Sequence, residues 1–278
     1  MVFHNSSPSL VAVLIPKTAF FYAIASLVKN CYNQAMNSSE QNYEDFISTV
    51  SHELRTPLTS IRGFSQTMLA SWDKLDDDSK KKFLKIIEEQ SNRLIKLVEN
   101  MLSVTKLQSV NENFIYKQTD VSPIINMVVS IVKNQYKDKS FDVKIDPTTP
   151  QILVDRDRFQ QIMTNLIENA AKYSDDNSTI KISTNFCQNC EFVSIKVSDT
   201  GVGIDEKDYD KIFTKFSRID SPLTRKVQGS GLGLYITKNL TEKMGGKISV
   251  KSEGKITTFE VLMPVFNPET QAREKCRQ

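Results

Sequence analysis

FDVKIDPTTPQILVDRDRFQQIMTNLIENAAKYSDDNSTIKIST, residues 141–184, holds three short strand-like runs, FDVKI and TIKIST with apolar and polar residues alternating and ILV wholly apolar, around one longer run with apolar residues every three or four. A period of two puts every second side chain on one face of a strand, and a spacing near 3.6 puts them on one stripe of a helix. The stretch therefore reads as strand, strand, helix over about 156–173, strand. FVSIKVS, KISVKS and TTFEVLMP repeat the strand pattern further on, with a second helix over about 231–244. Upstream the pattern changes at about residue 113, where FIYK precedes DVSPIINMVVSIVKNQYK; Ser122 and Pro123 mark a helix start there. The expectation is an α+β sandwich, one sheet covered by helices.

Before residue 110 the period is helical throughout. Val28, Tyr32, Ala35, Tyr43, Phe46 and Val50 keep mostly three- and four-residue spacing, and the stripe continues through Leu54, Leu58, Ile61, Met68 and Leu69. Pro57 removes one backbone donor, so a bend or loosening is expected one turn after His52. SWDKLDDDS (71–79) is a polar turn whose Asp76, Asp77 and Asp78 suit the positive end of a following helix. That helix repeats Phe83, Ile87, Gln90, Leu94, Leu97, Met101 and Val104. Two such helices bury their stripes poorly alone, so an all-α hairpin pairing with a second copy into a four-helix bundle is the economical solution.

The 278 residues suggest about two domains and exclude a peptide hormone or a disulfide-stapled scaffold. Thirty-six Lys and Arg against 33 Asp and Glu leave a net charge of +3, too weak to imply a nucleic-acid partner. Four cysteines, at 31, 187, 190 and 276, make no disulfide framework and fit a reducing, cytosolic setting. Cys187 and Cys190 form one CxxC without two further zinc ligands nearby, which favours a surface hairpin over metal or redox chemistry. Residues 10–28, LVAVLIPKTAFFYAIASLV, approach membrane-spanning length, but Pro16 and Lys17 interrupt them near the middle. A remnant of an input domain, a membrane helix and another targeting segment all remain open for this stretch.

His52 stands beside Glu53 on the first helix. Thr56 and Pro57 occupy the places where a metalloprotease HExxH would need its second His. Imidazole keeps a neutral nitrogen near pH 7, and an adjacent carboxylate can hold the other nitrogen's proton, so His52 is a candidate nucleophile. In QIMTNLIENAAKYS (161–174) Asn165, Asn169 and Lys172 or Tyr173 share one helix face. Asn169 offers a carbonyl oxygen of the kind Mg²⁺ accepts alongside phosphates, and Lys172 can meet phosphate charge one turn on. DTGVGID (199–205) puts Asp199 at a strand end, where a buried carboxylate can accept a hydrogen bond from adenine's exocyclic amine; Gly201 and Gly203 permit close backbone approach. GSGLGLYITK (229–238) opens a helix with Gly229, Gly231 and Gly233, freeing amides to face an anion. It lacks the βαβ setting of a dinucleotide fold. IFTKFSRIDSPLTRKVQ (212–228) has the composition of a lid anchored by Phe213 and Phe216, with Arg218 and Arg225 able to reach a γ-phosphate.

From about residue 40 to 265 the chain resembles the sensor histidine kinases of two-component systems. FISTVSHELRTPLTSI resembles their phosphoacceptor box, NLIENAAKYS the asparagine box, VSDTGVGI the first glycine box, IFTKFSRID the phenylalanine box and GSGLGLYI the second glycine box, five motifs in family order. The resemblance implies a dimeric four-helix bundle followed by an α+β sandwich ATP-binding domain of the GHKL type. It implies ATP and Mg²⁺ as cofactors, His52 as the phosphorylated residue, Glu53 as the assisting acid and Thr56 as the position used to dephosphorylate a partner. Asn169 would hold Mg²⁺, Lys172 and Arg218 face phosphates, Asp199 recognise adenine and Tyr173 lie alongside the nucleotide. Asn165, Phe213, Leu232 and the glycines Gly201, Gly203, Gly229, Gly231 and Gly233 would complete the pocket.

The phosphoryl group is then expected to pass to an Asp of a separate response regulator receiver domain. LQSVNEN (107–113) is expected to be the hinge that lets His52 approach the nucleotide. Expected divisions are an amino-terminal segment 1–38, a dimerisation and phosphoacceptor domain 39–110, a catalytic domain 111–265 and a polar tail 266–278. Two rivals share the nucleotide fold. One is an ATPase of the gyrase, mismatch-repair and chaperone kind, which needs a Glu where this chain has Asn165, a residue that cannot take a proton. The other is a nucleotide-binding signalling scaffold without kinase activity. Location is expected to be cytoplasmic, with membrane association through residues 10–28 as the alternative.

Overall fold

The computed structural model describes residues 40–109, 113–186, 191–219 and 229–266. The segment 1–38, Cys187, Cys190, Arg225, the middle of the expected hinge and the polar tail beyond Phe266 lie outside them. By its contacts the chain divides into two units, residues 1–55 and 56–278. The described part of the first unit, from Glu40 on, is wholly helical and belongs to α1 (Glu40–Ser71), in which Pro57 is accommodated without ending the helix.

The second unit contains the hairpin turn and everything after it. Trp72–Lys74 forms a short 3-10 turn, and α2 spans Asp77–Gln108. The Asp76 carboxylate accepts from the Ser79 amide at 2.8 Å, and Asp77 and Asp78 sit in the first turn, where the helix dipole favours negative charge. Phe64 of α1 tilts against Phe83 of α2 with ring centroids 5.2 Å apart, closing the hairpin. Toward its end α2 buries Leu97, Met101, Val104 and Leu107.

Strand β1 (Tyr116–Thr119) leads into α3 (Val121–Gln135), whose cap is Asp120, accepting from the Ser122 amide at 2.8 Å. The helix thus begins just before the expected Ser122 and Pro123. Then come β2 (Ser140–Lys144), β3 (Ile152–Asp155), α4 (Arg156–Tyr173), β4 (Thr179–Asn185), β5 (Phe192–Thr200), α5 (Gly233–Lys243), β6 (Lys247–Glu253) and β7 (Ile256–Pro264). Five strands form one sheet in the order β2-β4-β5-β7-β6, with β2 and β4 parallel and the other pairs antiparallel.

The single sheet expected from sequence is corrected here: β3 pairs antiparallel with β1 in a separate two-stranded sheet. The reason is local. Asp155 ends β3 and caps α4 through the amides of Asp157 and Arg158, while its other oxygen takes the Ile115 amide at 2.9 Å, so β3 is tied to the segment entering the domain. The second helix begins two residues later than expected because Gly231 has a φ of +66°, outside the helical region.

The sheet packs one face against the helices. Val193, Ile195 and Val197 of β5 and Phe259, Val261 and Met263 of β7 are buried in alternation, opposite Phe159, Ile162, Met163, Leu166 and Ile167 of α4. Burying such side chains supplies most of the stability of the domain. Leu166 has no exposed surface. Leu166→Ala should lower unfolding free energy by about 2–5 kcal/mol; urea denaturation checks this, and an unchanged midpoint would contradict the packing described.

Candidate functional site

The last two turns of α4, the end of the central strand β5, the segment 206–219 and the start of α5 converge at one end of the sheet. On α4, Asn165 donates from Nδ2 to the Gly233 carbonyl (3.2 Å) and to Thr237 Oγ1 (3.2 Å), so this side chain fastens α4 to the first turn of α5. Asn169 follows one turn on, half-buried. Burial, with a smaller effect from the nearby Lys96 ammonium, holds Lys172 below the ordinary lysine range, and Glu168 opposes that shift. Burial raises the Tyr173 phenol, and the charge of Arg218 works against it. The Tyr173 hydroxyl stands 4.0 Å from where a Cβ on Gly229 would lie.

Asp199 continues the inward-facing row of β5, in the position after Val197 where the alternation calls for an apolar residue. Its residue is 5% exposed. Desolvation first, and the Asp175 carboxylate second, push its pKa up to about 7. Among the described residues no hydrogen bond reaches this carboxylate. A largely buried carboxylate of this kind is suited to accept a ligand N–H. Gly201 is required by its surroundings, because any Cβ there would run into the Tyr173 carbonyl.

Phe213 is buried and meets Phe259 of β7 edge-on at 6.4 Å, with Lys238 Nζ 5.6 Å from its ring. Its role in this structure is to anchor the segment to the sheet. Phe216 has a φ of +59°, and a Cβ on Gly231 would lie 2.6 Å from its carbonyl carbon, so the backbone at 216 and at 231 lies in close contact. Gly229 and Gly233 meet only ordinary contacts. Leu232 is fully buried and caps α5 without a side-chain hydrogen bond, leaving the first-turn amides available to an anion.

Thus Asn165, Lys172, Tyr173, Asp199, Gly201, Arg218, Gly229, Gly231, Leu232 and Gly233 line or brace one region, and Gly203, with a φ of +70°, packs on Gly254 behind it. An adenine nucleotide fits these residues: a largely buried carboxylate, helix-start amides and nearby cations. Asn169 offers the neutral oxygen a divalent cation needs. On the helix of the first unit His52 is exposed and Glu53 half-buried; Thr56, in the second unit, is exposed.

Sequence reasoning missed the contact of α2 with this region. Lys96 pairs with Glu168, Asn100 Nδ2 donates to Ser230 Oγ at 3.4 Å, and Gln161 Nε2 to Ser103 Oγ at 3.4 Å. A cleft of about 320 Å³ lies between these helices, lined by Lys96, Asn100, Gln160 and Asn165 among others. It also missed Asp175, whose charge acts on Asp199, and Lys139 and Lys255, which hold the turn at Ser174 and Asp175; no motif marks residues brought in by separate turns.

Comparison with known proteins agrees with this geometry. Residues 43–110 match the family model of the His Kinase A (phospho-acceptor) domain, and residues 154–267 that of the histidine kinase-, DNA gyrase B-, and HSP90-like ATPase. Sensor histidine kinase WalK of Bacillus subtilis is 32% identical over 230 residues, 81% of this chain and 37% of that protein. Signal transduction histidine-protein kinase ArlS of Staphylococcus aureus is 35% identical over 238 residues, 84% of this chain and 52% of that protein. The chain therefore spans about half or less of the relatives it matches. In structure, histidine kinase ThkA, solved in complex with response regulator protein TrrA, superposes with a TM-score of 0.64 at 22% identity, covering 91% of this chain and 68% of that one. Acinetobacter baumannii histidine kinase AdeS gives 0.60 at 24% identity, covering 78% and 98%; both likenesses concern the fold. With both family models matched in order and relatives of one kind across most of its length, the chain belongs to the sensor histidine kinases of two-component systems.

The raised pKa of Asp199 has a stability consequence. A carboxyl held above its unfolded value of 3.8 favours the folded state below about pH 4, and that advantage is lost as pH rises to about 7. Asp199→Asn removes the buried charge. Its stability gain over the parent should grow between pH 4 and 7 and level off above, at an order of magnitude of 2–4 kcal/mol. Urea titrations across that range check it; a gain independent of pH would contradict it.

Proposed function

We propose that this chain transfers the γ-phosphoryl group of ATP to His52 and from there to an aspartate of a response regulator. The observation that carries the proposal is Asp199, a largely buried carboxylate that takes no hydrogen bond among the described residues, at the glycine-lined end of β5, in a chain that also bears an exposed His52 next to Glu53. Asp199 would accept from the adenine amine, and Tyr173 would lie along the base. Lys172, Arg218 and the first amides of α5 would meet the phosphates, whose charge spreads over the equatorial oxygens in a loose transition state. Asn169 would hold Mg²⁺, which supplies charge neutralisation at the phosphates.

A ring nitrogen of His52 forms the new bond to phosphorus as the bond from phosphorus to the ADP oxygen breaks. Glu53 orients the other ring nitrogen and keeps its proton. Thr56 would position water when the regulator is dephosphorylated. The complex of ThkA with TrrA supports a receiver domain as partner. Leu69 and Leu84 of the hairpin are 83% and 53% exposed, which supports a homodimer of hairpins. The working divisions are 39–110 for the phosphoacceptor domain and 111–265 for the catalytic domain, acting in the cytoplasm, where ATP is available. Among the described residues no helix is long and apolar enough to cross a membrane, and residues 10–28 lie outside them. Against plain ATP hydrolysis, Asn165 fastens α5 in the place where those enzymes need a proton acceptor.

Protein given γ-labelled ATP and Mg²⁺ should take up acid-labile, base-stable label, and His52→Gln should abolish it while nucleotide binding persists. Label retained in that variant would overturn the assignment. Asn169→Ala should weaken Mg²⁺-dependent ATP binding by about tenfold or more, read by calorimetry with and without the metal; equal binding would move the metal ligand elsewhere.

A further inference from the structure

Lys139 lies in the turn between α3 and β2, and its side chain is 5% exposed. Its Nζ donates to the Asp175 carbonyl at 2.9 Å and the Ser174 carbonyl at 3.3 Å, and pairs with Asp138 Oδ2 at 2.9 Å. Asp176 Oδ1 stands at 3.7 Å, but its carboxylate is 95% exposed and contributes little. Burying an ammonium is unfavourable unless its donors are all met, and here carbonyls of one short segment meet two of the three.

That segment is the turn that follows α4. The Ser174 amide closes the helix on Ala170, the Asp175 amide donates to the Thr200 carbonyl at 2.8 Å, and Ser174 bridges to Gly201. The Tyr173 carbonyl packs on Gly201 so closely that no side chain fits. From the opposite side Lys255 Nζ donates to Asp175 Oδ2 at 2.9 Å, and the Gly201 amide donates to the Lys255 carbonyl at 2.8 Å. The turn is thus held between a buried lysine and an exposed one, and it is the wall against which the Asp199 end of β5 rests.

We infer that Lys139 is a positioning residue for the nucleotide: by holding the carbonyls of Ser174 and Asp175 it fixes the turn that frames Asp199 and Gly201, without touching the ligand. The inference rests on the reading of this pocket as an ATP site. The charge that acts on Asp199 is that of Asp175 at the turn; Lys255 pairs with Asp175, and Lys139, itself facing Asp138 and Asp176, holds the turn's carbonyls. Loosening the turn should take Asp175 away from Asp199, whereas removing Lys255 leaves Asp175 in place and uncompensated.

The test is calorimetric titration of the full chain with Mg²⁺-ADP between pH 5.5 and 8.5, at a temperature where circular dichroism shows each variant folded. Parent affinity should fall as pH drops through about 7. Lys139→Met should bind about tenfold more weakly at pH 8, with its midpoint lower by about half a unit, whereas Lys255→Met should shift the midpoint upward with little loss at pH 8. Lys139→Gln, which retains two uncharged N–H donors, should fall between parent and Lys139→Met.

Parent-like affinity and midpoint in folded Lys139→Met would overturn the inference, as would failure of both Lys139 variants to fold, which would make the lysine part of the folding core. A parent protein that does not bind Mg²⁺-ADP would sink the nucleotide reading itself, a separate result.

Discussion

A carboxylate stands in a row of apolar side chains, and much of the site is organised around that exception. Val193, Ile195 and Val197 turn inward from β5 onto α4, and the next inward position is Asp199. The row supplies the stability; its last member spends some of it, because a charge taken out of water without a hydrogen bond is unfavourable. The glycine two residues beyond it brings the backbone of β5 against the end of α4, where the Tyr173 carbonyl leaves no room for a side chain. Stability and binding are therefore coupled at one residue, with opposite demands on its proton.

Around that point the structure uses small, separately placed devices. Asn165 ties α4 to α5 through Gly233 and Thr237. Phe213 anchors its segment on Phe259, and Gly231 packs its backbone against that of Phe216. The contact of α2 reaches the same machinery. Glu168, which takes Lys96, precedes Asn169, and Ser230, which takes Asn100, lies between Gly229 and Gly231. Residues that hold the hairpin helix and residues that would hold phosphates are neighbours in the chain, so movement of one set is felt by the other.

The order of elements was legible because each carries its own period. The alternation in TIKIST and FVSIKVS and the stripe of α4 are local properties, set by where successive Cβ atoms point. Asp199, the asparagines and the glycines were legible as well, since each lies in a short motif whose chemistry follows from its residue types. Where a residue's role depends on a distant neighbour, the reading was incomplete. Asn165 was taken into the pocket with Asn169, yet its amide is engaged by α5. The strand ILV was assigned to the main sheet, but the capping carboxylate of Asp155 binds the entering segment and β3 pairs with β1.

By itself, then, the amino-acid sequence determined the helical and strand periods, the two-part organisation and the residue types able to meet a base, phosphates and a metal ion, because these are written within a few residues of one another. Only the tertiary structure decided that Lys139 and Lys255 clamp the turn beside Asp199, that Asp175 raises its proton affinity, and that α2 rests on the asparagine and glycine segments. The physical reason is that such contacts join residues many tens of positions apart, whose meeting depends on how the sheet and helices pack and leaves no pattern in either partner's local sequence.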